Sequence, residues 1–513
     1  MVNEERGEAQ AGTTEAGTAE AGTTEAGTTE AGTTTKPATP VDDLVTTRHT
    51  LTIDGAELRY TATTGRIVLR EEVYTDGKFD GLKPKAEVFV TAYTLDDAEA
   101  AERPVTFAFN GGPGSSSLWL HLGLLGPRRV VSGDVGELAA PPYAIADNAE
   151  TLLKYSDVVF IDPVSTGYSR AAEGEKPGDY HGFTRDLESV GEVIRLWTSR
   201  NGRWMSPKFL AGESYGTTRA AGLAWHLQKR YGMYLNGVML ISVVLEFGTL
   251  DFTPGNDLPY TLFLPTYAAI AHYHGLVPDR TLAELLADAE RFAAGRYPNA
   301  LAQGNRIPAD YRAEVVTRLA ELTGLSEDYI DRVNLRIEHL RFFGELLRSR
   351  RQTVGRLDGR FTGWNADYGS ETPDRDPSMN AITGPYSAAL NHYVRVELGY
   401  ENDLPYEIIN ADAAGKWSFK EFEGQQITVA EKLAEAIRMN PHLQVYVASG
   451  HYDGATPYFA TEHTLARLPI PAELTPNIQT KYYPSGHMMY VHEQSRIQQA
   501  ADLGAFITTA TNQ

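Results

Sequence analysis

The sequence predicts an α/β protein with a central, mostly parallel sheet and an inserted, mainly helical lobe. Between residues 104 and 242, short apolar segments typical of buried strands alternate with segments of helical character, which favours a parallel sheet covered by helices. One strand-to-helix connection is a glycine-flanked turn around a serine, which such sheets carry at their edge. The alternation stops near residue 249 and resumes near residue 442, which indicates an insertion between two parts of the sheet.

Composition limits the classes of partner. Of 513 residues, 42% are hydrophobic and 22% are charged, as is usual for globular proteins. The 46 Lys and Arg against 67 Asp and Glu give a formal net charge of −21, and an acidic surface disfavours nucleic acid and anionic membranes as partners. The absence of cysteine excludes disulfides, thiolate metal sites and cysteine nucleophiles. We expect no cofactor, no metal, and a monomer or homodimer.

The first 41 residues differ from the rest of the chain. Residues 11–35 repeat the unit Thr-Thr-Glu-Ala-Gly with a period of five and contain no large apolar side chain, so we expect residues 1–41 to form a disordered, low-complexity tail. The N-terminus lacks a basic segment followed by an apolar run, and no apolar stretch is long enough to cross a bilayer. A cytoplasmic location is the default expectation, with export the alternative if translation starts elsewhere.

The first part of the sheet domain is predicted to span residues 42–248. From His49 to Leu95, alternating segments rich in Thr, Val, Ile and Tyr predict strands joined by Asp-Gly hairpin turns. Further strands are predicted at Pro104–Asn110, Asp157–Asp162 and Gly237–Ser242, and a helix at Thr184–Ser199. The strand at Asp157–Asp162 is apolar on both faces, as expected inside a covered parallel sheet.

The segment Phe209–Arg219 carries the serine turn. An apolar run enters it, Gly212 and Gly216 flank Ser214, and a helix-compatible run continues to Tyr231. This is the pattern of a nucleophile elbow, in which a sharp turn lifts the serine hydroxyl clear of the sheet and glycines avoid collisions with neighbouring strands. The Gly-x-Ser-x-Gly pattern also occurs in ordinary glycine-rich turns, and the flanking strand and helix favour the elbow.

Residues 249–440 are predicted to form the inserted lobe, over the carboxyl edge of the sheet where it would wall a pocket. Amphipathic patterns predict helices at Leu282–Ala294, Tyr311–Thr323 and Glu327–Ser349, and the Gly-, Asp- and Asn-rich stretch Asp358–Pro385 is predicted to be a loop. The second part of the sheet domain, residues 441–513, is predicted to contain strands at His442–Ala448 and Ile478–Tyr483 and a helix at Ile497–Thr508.

Two residues that follow predicted strands near the C-terminus are candidate partners for Ser214. A serine hydroxyl needs a base to take its proton and a third group to orient that base, and elbow proteins supply them in the chain order Ser, Asp or Glu, His. Asp453 follows one predicted strand and His487 follows the next, so we expect Asp453 to orient His487 and His487 to take the proton of Ser214. The alternative is an Asp that only stabilises its turn and a His without a role in catalysis.

The segment Asn110–Ser117 (Asn-Gly-Gly-Pro-Gly-Ser-Ser-Ser) directly follows a predicted strand. Elbow proteins place one donor of the oxyanion hole in this loop and the other just after the nucleophile. The backbone N–H groups of Gly112 and Tyr215 are therefore candidates to hold the oxyanion of a tetrahedral intermediate. A flexible loop is the alternative, which Pro113 disfavours, and a phosphate-binding loop would require a Gly-Lys-Ser/Thr sequence that does not follow.

Four motifs in this order resemble those of the serine carboxypeptidase family, peptidase family S10. They are Asn110–Ser117, Gly212–Tyr215 (Gly-Glu-Ser-Tyr), Gly450–Asp453 (Gly-His-Tyr-Asp) and Gly486–Met488 (Gly-His-Met), and the stretch Asp157–Ser169 is also similar. The resemblance spans about Val105 to Phe506 and is loose in the helical lobe. It implies an α/β-hydrolase fold and the removal of C-terminal residues from peptides through an acyl-enzyme.

The resemblance also implies roles for the motif residues. Ser214 is the expected nucleophile, His487 the general base and acid, and Asp453 its orienting partner. Asn110 and Glu213 correspond to the residues that hold the carboxylate of the substrate in the family. A glutamate binds a carboxylate only when one of the two carries a proton, because like charges repel. This requirement is the reason for expecting an acidic pH optimum in the family.

Three positions depart from the family pattern: Ser115 replaces a Cys, His451 replaces an acid, and Leu124 replaces the Glu that shares a proton with the Glu beside the serine. The loss of that Glu predicts a weaker clamp on the carboxylate, made by Glu213 and Asn110, and removes the basis for an acidic optimum.

Other functions remain open at this point. An acyltransferase or esterase would use the same triad with a different acceptor or substrate, and a non-catalytic binding protein would keep the site as a relic. A zinc-protease helix is disfavoured because Arg496 occupies the position of the second histidine after His492. His272 and His274 are expected to be ordinary packing or surface residues.

Overall fold

The structure of the chain is a computed structural model that describes residues 39–277 and 280–512. The predicted disordered tail, residues 1–41, lies outside the described residues except for residues 39–41.

The strands lie where apolar and β-branched residues alternate or run together. They are β1 Asp43–Ile53, β2 Ala56–Thr75, β3 Lys78–Leu95, β4 Val105–Phe109, β5 Arg128–Val131, β6 Ala144–Asp147, β7 Asp157–Ile161, β8 Arg170–Ala171, β9 Lys208–Ser214, β10 Gly237–Val243, β11 Thr353–Val354, β12 Thr362–Gly363, β13 Gln444–Gly450 and β14 Ile478–Tyr483. Asp54-Gly55 and Asp76-Gly77 have positive φ values of 51° and 80°, and 51° and 75°, so both predicted hairpin turns are confirmed.

The main sheet has the strand order β1-β2-β3-β7-β4-β9-β10-β13-β14, with β8 paired to β3. The first strands pair antiparallel up to β3–β7, and all pairs from β7 to β14 are parallel. The carboxyl ends of the parallel strands meet at one edge, which therefore collects the loops after β4, β9, β13 and β14. This mostly parallel sheet with a serine elbow confirms the predicted α/β-hydrolase fold class.

Helices cover both faces of the sheet and form most of the insertion. They are α1 Leu118–Leu120, α2 Phe183–Arg200, α3 Tyr215–Tyr231, α4 Leu258–Leu262, α5 Leu264–Tyr273, α6 Leu282–Ala294, α7 Arg296–Gln303, α8 Ala309–Thr323, α9 Glu327–Arg332, α10 His339–Glu345, α11 Pro377–His392, α12 Ala411–Gly415, α13 Ala430–Met439, α14 Tyr458–Leu465 and α15 Glu493–Thr511. Single π-helical turns occur at His121–Leu125 and Tyr393–Glu397.

Three apolar clusters form the core. Successive strand residues belong to different clusters, as with Phe209 and Leu210, because side chains alternate between the faces of a sheet. The third cluster lies mostly within residues 249–440, where it joins α5, α6 and α8, and it also contains Tyr452 and Tyr458. Later helices of the insertion complete the sheet clusters: Ile382 and Tyr386 of α11 pack on one face, and α13 on the other.

Two predictions for the insertion are wrong. The predicted helix Glu327–Ser349 is two short helices, α9 and α10, because Asn334 and Leu335 have φ values of 55° and 65°, a conformation that an α-helix does not contain. The predicted loop Asp358–Pro385 becomes helical at Pro377, the first residue of α11. Proline is well tolerated there, since the N–H it lacks has no partner in the first turn.

Within residues 39–277 and 280–512, no helix combines the length and the apolar character needed to cross a membrane.

Candidate active site

Ser214 is the last residue of β9, and α3 begins at the next residue. Residues other than glycine rarely adopt its φ of 61° and ψ of −129°, and such backbone strain is typical of functional turns. A Cβ on Gly216 would lie 2.7 Å from the carbonyl oxygen of Phe109, and one on Gly212 would collide with Gly216. The backbone of the turn is thus packed too closely for any residue but glycine at either flank, and the elbow geometry is fixed.

Asp453 and His487 follow the neighbouring parallel strands β13 and β14, and their side chains meet. His487 Nδ1 lies 2.8 Å from Asp453 Oδ2. The other carboxylate oxygen, Oδ1, accepts hydrogen bonds from the backbone N–H groups of Ala455 and Thr456 at 2.8 and 2.9 Å. The carboxylate is fully buried, and hydrogen bonds to both of its oxygens fix its orientation. It can therefore stabilise the positive charge of the imidazolium that forms when His487 takes a proton.

The backbone of His487 is anchored as well. Its N–H donates to the carbonyl oxygen of Leu357 at 2.7 Å, and its own carbonyl oxygen accepts from Ser242 Oγ at 2.5 Å. Ser214 and His487 line the same cavity of about 370 Å³. Among the described residues, the Ser214 hydroxyl makes no hydrogen bond to the imidazole. Such bonds are often long before substrate binds.

Asn110 and Glu213 are buried side by side next to the serine. Asn110 Nδ2 donates to Glu213 Oε1 at 2.9 Å, and Asn110 Oδ1 accepts from the backbone N–H of Leu120 at 2.9 Å. The second carboxyl oxygen, Glu213 Oε2, is buried with no hydrogen-bond partner within the described part of the chain. A buried polar atom without a partner is unfavourable, and the Tyr490 hydroxyl lies close enough to Glu213 to act on its pKa.

Gly112 and Tyr215 also line the cavity. Gly112 has a φ of 102°, which favours glycine, and a Cβ on the neighbouring Gly111 would collide with the backbone nitrogen of Tyr215. The loop after β4 and the first turn of α3 are therefore in direct backbone contact. This contact brings the two predicted oxyanion donors to the same wall of the cavity.

Comparisons with known proteins identify the family of the chain. A family model described as serine carboxypeptidase, peptidase family S10, matches residues 85–501. The chain belongs to the serine carboxypeptidase family. A curated relative, the pheromone-processing carboxypeptidase KEX1 of Yarrowia lipolytica, is 31% identical over 146 residues, which are 27% of this chain. The match spans 21% of that relative's length.

Solved structures with similar folds have low identity. A proline iminopeptidase from Mycobacterium smegmatis is 13% identical, with 86% of this chain and 98% of that chain covered and a TM-score of 0.35. An open-form lipase is 15% identical, with 88% and 100% covered and a TM-score of 0.34. The peroxisomal α/β-hydrolase Lpx1 of Saccharomyces cerevisiae is 10% identical, with 91% and 90% covered and a TM-score of 0.33.

Two titratable groups of this site, Glu213 and His487, have shifted pKa values. Burial raises the pKa of Glu213 to about 7, and His487, Tyr490 and Asn110 oppose the rise only in part. Burial acts to lower the pKa of His487, but the carboxylates of Asp453 and Glu213 outweigh it and the positive charge of Arg356, so the pKa lies above its ordinary 6.5. Glu213 therefore changes protonation near neutral pH, and its titration is coupled to that of His487, whose positive charge lowers the pKa of Glu213.

Leu124, at the position where the family pattern has a Glu, is buried in the apolar cluster on one face of the sheet. Beside Glu213 the structure has Tyr490, whose hydroxyl oxygen is also buried with no partner among the described residues. Tyr490 is near enough to lower the pKa of Glu213, although burial has the larger and opposite effect. A phenol therefore neighbours the Glu in this member of the family.

Three residues of the site were not predicted from the sequence: Thr456, Tyr490 and Arg356. Thr456 Oγ1 donates to Asp453 Oδ2 at 2.7 Å and lies 3.3 Å from His487 Nδ1. Its position three residues after the Asp is a local signal for side-chain capping of a turn. Tyr490 and Arg356 reach the site only through the fold, and no local pattern marks them.

Proposed function

We propose that this protein is a serine carboxypeptidase that removes residues from the C-terminus of peptides through an acyl-enzyme on Ser214. The observation that carries the proposal is the 2.8 Å contact between His487 Nδ1 and Asp453 Oδ2, at the cavity that also contains Ser214 on its elbow. An imidazole bound in this way through Nδ1 has Nε2 left to accept a proton.

In the proposed reaction, Ser214 Oγ attacks the carbonyl carbon of the last peptide bond and His487 Nε2 takes the hydroxyl proton. The oxyanion forms against the backbone N–H groups of Gly112 and Tyr215. His487 then gives its proton to the leaving amine, and the C–N bond breaks. Water, deprotonated by the same imidazole, hydrolyses the ester and restores the serine.

Recognition of the free C-terminus is assigned to Asn110 and Glu213. When Glu213 is protonated, it donates a hydrogen bond to the carboxylate of the substrate, and Asn110 provides a neutral amide beside it. Because the pKa of Glu213 is raised to about 7 by burial, the protonated form is present at and below neutral pH. Asn110 and Glu213 both line the cavity that contains Ser214, which supports a ligand at this position.

The test is mass spectrometry of a peptide digested over time, with the free acid and the C-terminal amide of the same peptide compared. The proposal predicts stepwise loss of residues from the acid and much slower loss from the amide. Ser214→Ala serves as the control and should remove no residues. Equal turnover of acid and amide, internal cleavage, or transfer of the acyl group to an added alcohol in preference to water would contradict the proposal.

A further inference from the structure

The candidate substrate cavity contains one cation that the proposed reaction does not use. Most of its walls are apolar and include Trp119, Leu250 and Met379, and its charged side chains are those of Glu213, His487 and Arg356. In an apolar pocket, a few polar groups decide which ligands are accepted. Arg356 therefore has the position of a specificity residue.

The guanidinium of Arg356 is unpaired among the residues that the structure describes. Within residues 39–277 and 280–512, it forms no salt bridge and no side-chain hydrogen bond; only its backbone N–H is bonded, to Asp376 Oδ1 at 3.0 Å. Most other arginines near acidic side chains in this protein are paired, as Arg360 is with Asp358 at 2.6 Å. In a chain with a net charge of −21, an unpaired cation inside a cavity is unusual and indicates an anionic ligand.

Two acidic residues, Asp376 and Asp358, that contact the Arg356 segment or follow it in the chain are bound to other groups. Asp376 accepts from the backbone N–H groups of Arg356 and Leu357 and from Ser378, and it caps α11. Asp358 accepts from Arg360 and from the backbone N–H of Gly486 at 3.1 Å. Neither carboxylate has a reason to leave these partners, so Arg356 is left free to bind a substrate.

We propose that Arg356 selects peptides with an acidic side chain, Asp or Glu, in one of the two residues that flank the scissile bond. The inference rests on the proposed function, which assigns the terminal carboxylate to Asn110 and Glu213 and leaves the guanidinium to a second carboxylate. Arginine suits this task because its fork of N–H donors matches a carboxylate in two parallel hydrogen bonds. Outside the cavity, the acidic surface repels such peptides, so the preference is local.

The test uses four matched peptide acids, with Glu or Gln as the last residue and Glu or Gln as the residue before it. For the wild type, kcat/KM for Glu should exceed that for Gln by about tenfold to a hundredfold at one of the two positions, the range expected of a hydrogen bond to a charged group. Arg356→Gln should bring this ratio to about one, and Arg356→Glu should reverse it, so that Gln is preferred to Glu at the same position.

Arg306→Gln is the matched control, because Arg306 is exposed and does not line the cavity; its Glu/Gln ratio should equal that of the wild type. Far-UV circular dichroism and the thermal midpoint check that the Arg356 variants fold. A wild-type Glu/Gln ratio of one at both positions, with neutral residues still released, overturns this inference alone. A preference for Glu that persists in Arg356→Gln also overturns it. A loss of the acid-over-amide preference in Arg356→Gln does so as well, because it would assign Arg356 to the terminal carboxylate. No turnover of any peptide contradicts the proposed function as well.

Discussion

Glu213 is the residue whose protonation links substrate binding to pH. It is buried beside the elbow serine, with Asn110 on one carboxyl oxygen and no partner on the other, and burial raises its pKa to about 7. His487 must be neutral to accept a proton, and its pKa lies above the ordinary 6.5 because two carboxylates outweigh its burial. Activity on a peptide acid should therefore rise as His487 loses its proton and fall above about pH 7 as Glu213 loses its own.

Glu213→Gln tests this assignment. A glutamine amide donates a hydrogen bond at every pH, so the fall in kcat/KM above about pH 7 that Glu213 causes for a peptide acid should disappear, while the acidic limb set by His487 remains. The measurement is the pH profile of kcat/KM for the wild type and the variant on one peptide acid. An unchanged alkaline limb in the variant would assign that limb to another group.

Asp453 should be essential for the chemical step and unimportant for binding. Asp453→Asn replaces the acceptor of the Nδ1–H bond by an amide that favours the wrong tautomer, and we expect kcat to fall by about 10⁴-fold with little change in KM. The matched control is Asp412→Asn, since Asp412 is exposed and its partner Lys416 is 70% exposed; this variant should keep full activity. A loss of less than about tenfold for Asp453→Asn would show that Asp453 does not orient the base.

At the scale of elements, the site depends on close backbone contacts around the elbow. The turn between β9 and α3 packs closely against the end of β4 and the loop after it, as the collision distances at Gly216 and Gly111 show. From α3, the buried Arg219 donates to Asp186 Oδ2 on α2 at 2.8 Å and to the carbonyl oxygen of Asn110 at 2.6 Å. One side chain thus ties two helices to the loop that carries the predicted oxyanion donor.

Gly212→Ala should destabilise the protein strongly, because the added methyl group meets backbone atoms of Gly216 that are fixed by the helix. We expect the free energy of unfolding to fall by about 3 kcal/mol or more, as for other overpacked core sites. Gly178→Ala is the control: Gly178 has no atom within 4 Å of its Cβ position and no positive φ, and it should change stability by less than about 0.5 kcal/mol. Urea titration measures both, and equal effects would contradict the packing argument.

Asp186→Asn should remove the charge that balances Arg219 in a place closed to water. Both side chains are at most 1% exposed, and a buried charge left without its partner costs about 3–5 kcal/mol. We expect a loss of unfolding free energy of this order in chemical denaturation. The exposed pair of Lys416 and Asp412 is the reference, and its removal should leave stability unchanged. A similar small effect at Asp186 would mean that water reaches Arg219.

Across the whole molecule, the sequence was sufficient to predict those elements whose pattern lies within a single segment. The Asp-Gly turns, the apolar strands and the glycines around Ser214 all lie in the structure where they were predicted, because strand alternation and left-handed turn residues are local properties. The break at Asn334 and Leu335 was missed because an amphipathic pattern continues across it. Helix α11 was missed because its apolar face, with Ile382 and Tyr386, is buried by contacts far away in the sequence.

The same distinction applies to the site. Local motifs and their order along the chain were the basis for predicting Ser214, Asp453 and His487. No such basis exists for Arg356, Tyr490 and Arg219, whose contacts join residues that are far apart in the sequence. Arg219, for example, contacts Asn110 across 109 positions of the chain. An isolated arginine or tyrosine has no neighbouring pattern that marks such a contact. The part of the cavity that we propose selects the substrate could therefore be identified only from the structure.

The central claim is that Ser214 is a nucleophile activated by His487. The most direct measurement is the reaction of the full chain with a fluorophosphonate, followed by mass spectrometry of its peptides. The account predicts one adduct, on Ser214, that is absent in Ser214→Ala and forms far more slowly in His487→Gln. An adduct on another residue, or labelling of Ser214 at the same rate without the imidazole, would contradict it.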